Sequence, residues 1–229
     1  MSDTGTANPR SHATATREVR IGPLHLAGDL NLPAGAAGLV VFAHGSGSSR
    51  LSPRNRMVAE ALNRQGIATL LFDLLTEQEE RNRANVFDIP LLAERLVGVV
   101  GWIDGQSELK ALPLGLFGAS TGAAAALVAA ARLGARVAAV VSRGGRPDLA
   151  GGALPDVRAP TLLIVGGLDY GVIELNEEAF AQLQALKALE IVRGATHLFP
   201  EPGKMEAVIA LAARWFHQHL APPARGQAG

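Results

Sequence analysis

The chain has 229 residues, long enough to bury one sizeable core and no more than one ordinary domain. Its 21 Lys+Arg balance 21 Asp+Glu, so no chain-wide field draws it to nucleic acid or to an anionic membrane surface. The absence of cysteine excludes disulfides, thiolate metal sites and a thiol nucleophile, and leaves the compartment open.

Residues 1–16 are rich in Ser, Thr and Ala and carry no apolar run of the kind a secretory signal needs. Together with residues 221–229 they read as disordered tails around a single domain at 17–220. Residues 19–32 read as two strands broken at Gly22-Pro23, and residues 39–43 as a buried strand. Ser52-Pro53 is a cap and first residue for a helix reaching Gln65, with Gly66 as its stop. A strand follows at 67–72, then a charged, solvated loop at 77–83. Residues 86–103 have helical periodicity, weakened by Pro90 and two glycines. A strand at 114–117 leads into an alanine-rich helix at 123–133. Strands at 137–142, 161–165 and 189–192 alternate with helices at 174–187 and 203–220, the last with Trp215 and Phe216 on or near its packed face. No stretch is long and apolar enough to span a bilayer, so a soluble cytoplasmic protein is the default expectation.

Alternating strands and helices predict an α/β domain, a mostly parallel sheet covered on both faces. Such sheets bind ligands beyond the carboxyl ends of their strands. Three candidate residues fall there. Gly118-Ala119-Ser120-Thr121-Gly122 sits between a strand and a helix, where a sharp turn lifts a serine hydroxyl above the sheet. With 26 glycines in the chain the pentapeptide is a weak signal by itself. Its context strengthens it: Asp169 follows the next-to-last strand and His197 the last, in the order nucleophile, acid, histidine.

These segments, with His44-Gly45-Ser46-Gly47 after the third strand, resemble the α/β-hydrolase superfamily, most closely its dienelactone-hydrolase-like branch. The resemblance runs from about Arg17 to His219. True dienelactone chemistry uses a cysteine nucleophile, which this chain lacks, so the resemblance implies the fold and serine-esterase chemistry and not that substrate. It implies Ser120 as nucleophile, His197 as general base and then acid, and Asp169 as the group orienting the imidazole. It places the oxyanion donors at the Thr121 and Ser46 amides, and makes His44 a brace for the loop instead of a proton carrier.

Each assignment has a plainer counterpart: a tight-turn serine, a helix-capping histidine, a turn aspartate. Asp148 and Asp156 compete for the acid role, but lie in a Pro/Gly-rich link and not directly after a strand. That link, 142–161, is too short for a helical cap, so an open, shallow site is expected. Arg50, Arg54 and Arg56 follow one strand, and Arg143 and Arg146 another. Arg143 or Arg50 could bind a substrate carboxylate, although pairing with nearby acids such as Glu77, Glu79, Glu80 or Asp148 is the plainer account.

The function expected is hydrolysis of small carboxylic esters through an acyl-enzyme, with a small-molecule ester as partner, no cofactor and no metal. Thioester or lactone hydrolysis, and a non-catalytic ligand-binding role, are alternatives on the same fold. A dinucleotide site in the loop at 45–50, with Asp73 as its ribose acid, fails because Arg50 stands where the third glycine belongs.

Overall fold

The computed structural model describes residues 16–220. The segments read as tails lie outside these residues, Thr16 excepted. Strands β1 (Arg17–Ile21) and β2 (Leu26–Asn31) pair antiparallel, turning through Gly22 and His25. Strand β3 (Leu39–Ala43) leads into helix α1 (Pro53–Arg64), whose capping Ser52 hydroxyl accepts the Asn55 N–H. The helix ends at Gln65, where Gly66 takes a φ of 77°.

Between β4 (Ala68–Phe72) and the long helix α4 (Ile89–Asp104) the chain makes two single-turn helices, α2 (Glu77–Glu80) and α3 (Arg83–Val86). The loop expected at 77–83 is therefore partly helical. A reciprocal cap between Thr76 and Glu79 starts α2, and Arg95 reaches back to Glu79 at 2.6 Å. The helix read at 86–103 begins only after Asp88, whose carboxylate caps Leu91 N–H. Pro90 then lies in the first turn, where its missing N–H costs nothing.

Strand β5 (Leu114–Ala119) runs into α5 (Thr121–Leu133), and β6 (Val137–Arg143) into a 3-10 segment at Pro147–Asp156. Strand β7 (Thr161–Gly166), α6 (Tyr170–Gln182), β8 (Lys187–Val192) and α7 (Lys204–Leu220) complete the chain. Helix α6 begins and ends earlier than its expected span of 174–187. Leu183 turns extended, and the Lys187 ammonium takes up the carbonyls of Phe180 and Leu183.

The sheet order is β1-β2-β4-β3-β5-β6-β7-β8. All neighbours from β4 through β8 are parallel, while β2 runs antiparallel to both of its neighbours. Strands β3, β4, β5 and β7 are buried at every position, which explains their unbroken apolar runs. One core layer packs α4, α5 and α6 on the sheet through residues such as Leu96 and Leu127. The opposite layer packs α1 and α7 through Leu62, Val208 and Phe216. The small residues of α5 let that helix lie close to the strands. Every parallel strand thus delivers its carboxyl end to one edge of the sheet.

Candidate active site

Ser120 stands at the turn from β5 to α5 with φ 51° and ψ −123°, a region that non-glycine residues rarely enter. The neighbouring backbone holds it there. Ser120 N–H points to the Arg143 carbonyl at 3.4 Å, and Arg146 N–H donates to the Ser120 carbonyl at 3.1 Å. Two glycines permit the crowding. A Cβ on Gly122 would collide with the Ala43 carbonyl oxygen, and one on Gly45 would lie 2.9 Å from Ser120 Cβ. The turn after β3 therefore presses directly against Ser120.

Asp169 occupies the N-cap position of α6, but its side chain makes no cap. The carboxylate turns instead to His197, with Oδ2 2.6 Å from Nδ1. A carboxylate accepts only, so Nδ1 donates to it, and in the neutral imidazole Nε2 is the acceptor nitrogen. Asp169 is largely withdrawn from solvent, at 17% exposure, while His197 stays accessible at 38%. Their loops are sewn together: Gly167 N–H donates to the Val192 carbonyl and Leu168 N–H to that of Ala195. Glu201 accepts from both the amide and the hydroxyl of Thr196, fixing the turn before His197. Buried Phe199, with φ 56°, fixes the turn after it. Gly144 links the two halves of the site. It follows the residue that receives Ser120 N–H, and a Cβ on it would lie 2.8 Å from the His197 carbonyl oxygen.

The turn after β3 faces the start of α5. Ser46 N–H donates to Thr121 Oγ1 at 3.0 Å, so the two expected oxyanion residues are in direct contact. His44 is buried behind them. Its Nδ1 lies 3.0 Å from the Gly45 carbonyl, and its Nε2 accepts Leu74 N–H at 3.1 Å. Only the neutral Nδ1–H tautomer satisfies both bonds. Burial pushes its pKa below the ordinary 6.5 against weaker opposing pulls from Gly45, Asp73 and Glu80. The imidazole ties the β3 turn to the end of β4 as an uncharged brace.

The arginines separate into two kinds. Arg50 is engaged by Asp73, at 2.5 Å from Nη1, and by Asp29, at 3.5 Å from Nε. The same contact takes Asp73 out of any ribose-binding role. Arg146 makes a two-point contact with Asp148, which removes Asp148 as a rival partner for His197. Arg143 is different. It is 6% exposed, donates to Asn55 Oδ1 at 3.2 Å, and pairs with no carboxylate among the described residues. Burial, with the nearby Arg54 charge, pushes its pKa down to about 10, which leaves it a cation at neutral pH.

A cleft of about 830 Å³ opens beside this edge, between the turn after β3 and the α2–α3 segment. Gly45, Ser46, Leu51, Leu75, Arg83 and Phe87 line it. Its lining stops at the turn that touches Ser120, so it adjoins the serine without enclosing it. The site is open, as the short link after β6 implied, but the connection from β4 to α4 gives it a wall that the charge-rich sequence there concealed. Among the described residues no group of three or more His, Asp or Glu side chains is set to hold a metal ion, and no helix is long and apolar enough to cross a membrane.

Residues 36–208 match the alpha/beta hydrolase domain family. Two Mycobacterium tuberculosis proteins, from different strains and provisionally named phosphoribosyl transferases, are 61% identical over 206 residues, 90% of this chain and 46% of theirs. The chain thus spans about half the length of those curated relatives. A dienelactone hydrolase from Anabaena variabilis has a crystal structure that is 56% identical, with a TM-score of 0.87 over 90% of this chain and 98% of that one. Est1E from Butyrivibrio proteoclasticus shares the fold at 15% identity, with a TM-score of 0.75 over 90% and 99% of the two chains. A strained serine after β5, a histidine held by an acid across the ends of β7 and β8, and these likenesses agree: the chain belongs to the α/β-hydrolase superfamily, on its dienelactone-hydrolase-like side.

Proposed function

We propose that the chain hydrolyses small carboxylic esters through an acyl-enzyme on Ser120. The observation that carries this reading is the 2.6 Å contact between Asp169 and His197 Nδ1, which selects the tautomer whose Nε2 can take a proton. In the first half-reaction Ser120 Oγ bonds to the ester carbonyl carbon while its proton passes to Nε2. The carbonyl oxygen becomes an oxyanion facing the Thr121 and Ser46 amides. Collapse of this intermediate expels the alkoxide, which takes the proton from Nε2. Water repeats the sequence on the acyl-enzyme, releasing the acid and restoring Ser120.

The transferase name of the M. tuberculosis relatives describes proteins of which this chain matches 46%, whereas the residues gathered at this sheet edge fit acyl transfer to water. The dienelactone name of the Anabaena protein sets a precedent for ester-type substrates and no more. The test is release of p-nitrophenol from acetate, butyrate and octanoate esters by wild type beside Ser120→Ala. The expected loss in kcat is about four orders of magnitude or more. Equal, trivial rates from two folded proteins would overturn the reading in favour of ligand binding.

A further inference from the structure

The cleft beside Ser120 changes from polar to apolar across its lining. On the serine side it is bounded by the turn after β3, residues 45–49, and a Cβ on Gly45 would lie 3.6 Å from Ser120 Oγ. Toward β4 and α4 the lining becomes Leu74, Leu75, Leu92 and Phe87. The three leucines are buried, at 5% exposure or less, and form an apolar floor. Leu51 and Phe87, on the two walls, are half exposed. A single exposed apolar side chain is ordinary, but two of them over a buried apolar floor make a surface that a ligand can shield from water. The Arg83 guanidinium stands 5.9 Å from the Phe87 ring centroid, and Glu80 lines the same wall, so the two charges offset each other and favour no ion.

Strand order decides which part of an ester reaches this cleft. The sheet runs β4-β3-β5-β6-β7-β8, so Ser120, after β5, stands between the cleft at the ends of β3 and β4 and His197 on the other side. His197 follows β8 and is held by Asp169 after β7. Its ring approaches the end of β6, where a Cβ on Gly144 would lie 3.7 Å from His197 Cε1. The leaving oxygen takes its proton from His197 Nε2, so the alcohol has to lie on the β6 side of the serine. The carbonyl oxygen faces the Thr121 and Ser46 amides. The acyl arm is the substituent of the carbonyl carbon that remains free to turn toward the cleft.

We infer that the cleft is the acyl pocket of this site, and that the preferred esters carry a neutral, apolar, ring-bearing acyl group seated between Leu51 and Phe87. This rests on the reading of Ser120 as the nucleophile. The cleft of about 830 Å³ is far larger than an acetyl group fills. The half-exposed Phe87 ring offers an aromatic surface against which a second ring packs better than a linear chain. The carbonyl carbon bonds to Ser120 Oγ as its bond to the alcohol oxygen breaks, so the acyl group stays in the cleft while the alcohol departs. Contacts with Leu51 and Phe87 therefore act on both the formation and the hydrolysis of the acyl-enzyme.

Two isomeric esters separate the arms of the substrate. Ethyl 3-phenylpropanoate carries its ring on the acyl side, and 3-phenylpropyl acetate carries the same ring on the alcohol. With wild type, kcat/KM for the first is expected to exceed that for the second about tenfold or more, although acetyl is the less hindered acyl group. Phe87→Ala and Leu51→Ala, both at half-exposed positions, are each expected to lower that ratio about threefold or more. Equal rates on the two isomers overturn the inference. The opposite preference overturns it too, and would seat the ring beside the exposed Leu168 and Leu198 on the His197 side. A ratio unchanged in both variants has the same force.

Equilibrium binding to the full-chain Ser120→Ala protein separates this inference from the reading beneath it. Ethyl 3-phenylpropanoate is expected to bind about tenfold or more tightly than ethyl propanoate, and Phe87→Ala in the same background to narrow the gap. Turnover of both isomers by wild type without preference, lost in Ser120→Ala, sinks the acyl pocket and leaves the ester hydrolase standing. Ring-dependent binding that Phe87→Ala weakens, with no turnover of either isomer by wild type, sinks the hydrolase and the acyl assignment with it, and leaves the cleft as the seat of an apolar ligand.

Discussion

The Ser46 amide donates to the Thr121 hydroxyl at 3.0 Å, joining two turns that lie 75 residues apart in sequence. The same amide is the proposed second oxyanion donor, so Thr121 both positions it and competes for it. A net contribution of about 1 kcal/mol for such a bond corresponds to about fivefold in rate. Thr121→Val is therefore expected to lower kcat about fivefold with KM little changed, and Thr121→Ser to stay within about twofold of wild type. Steady-state kinetics on p-nitrophenyl butyrate reads the split; a rise in KM alone would point to substrate contact instead.

Asp169 is expected to act through His197 and not on substrate. Asp169→Asn keeps the shape but offers an N–H where the imidazole N–H needs an acceptor, favouring the wrong tautomer. The expected loss in kcat is about 10⁴-fold. Far-UV circular dichroism and the melting temperature should stay close to wild type, because this side chain makes no helix cap.

His44 predicts a pH dependence of stability. Its folded-state pKa lies below the ordinary 6.5, chiefly through burial, so below about pH 6.5 the unfolded chain binds the proton more readily than the native protein. The stabilisation is complete above that pH and declines as pH falls through the window beneath it. His219, whose pKa burial also lowers, contributes with the same sign. Urea unfolding of wild type and His44→Gln between pH 7.5 and 5.0 isolates the His44 share; an identical pH slope in the two proteins would remove it.

Gly122 is the tightest close approach at the turn. A methyl group there would meet the carbonyl oxygens of Ala43 and His44, both backbone and neither able to swing aside. Gly122→Ala is expected to destabilise the fold by roughly 3 kcal/mol, and to cut activity through displacement of the turn after β3. Chemical denaturation and p-nitrophenyl butyrate turnover together test this; a variant as stable as wild type would mean that the turn yields freely.

The strands of this fold were legible because burial on both faces leaves unbroken apolar runs such as Leu39–Ala43 and Thr161–Gly166. The serine turn was legible because the crowding at Gly45 and Gly122 admits no side chain. The start of α6 was not. Helices advertise themselves through their caps, and Asp169, the residue at that position, spends its carboxylate on His197. Helix α2 did carry its signal, Thr76 followed three residues later by Glu79, but the surrounding charges imitate a solvated loop. The burial of Arg143 had no local signature, since it depends on Asn55, 88 residues away in sequence.

The wall of the cleft formed by α2 and α3 contains no buried residue in either helix. Thr76 caps one of them, Asn82 the other, and Asp88 reopens the main chain of helices behind them. The proposed reacting groups come from the ends of β3, β5, β7 and β8 instead. Residues 76–88 thus fold largely on local caps and border the cleft, tied to the rest of the domain mainly through partly buried Val86 and the Arg95–Glu79 pair. Evolution can redraw this stretch at small cost to stability, and an engineer can exchange it between relatives as a cassette. The chemistry would then stay constant while the choice of ester changes.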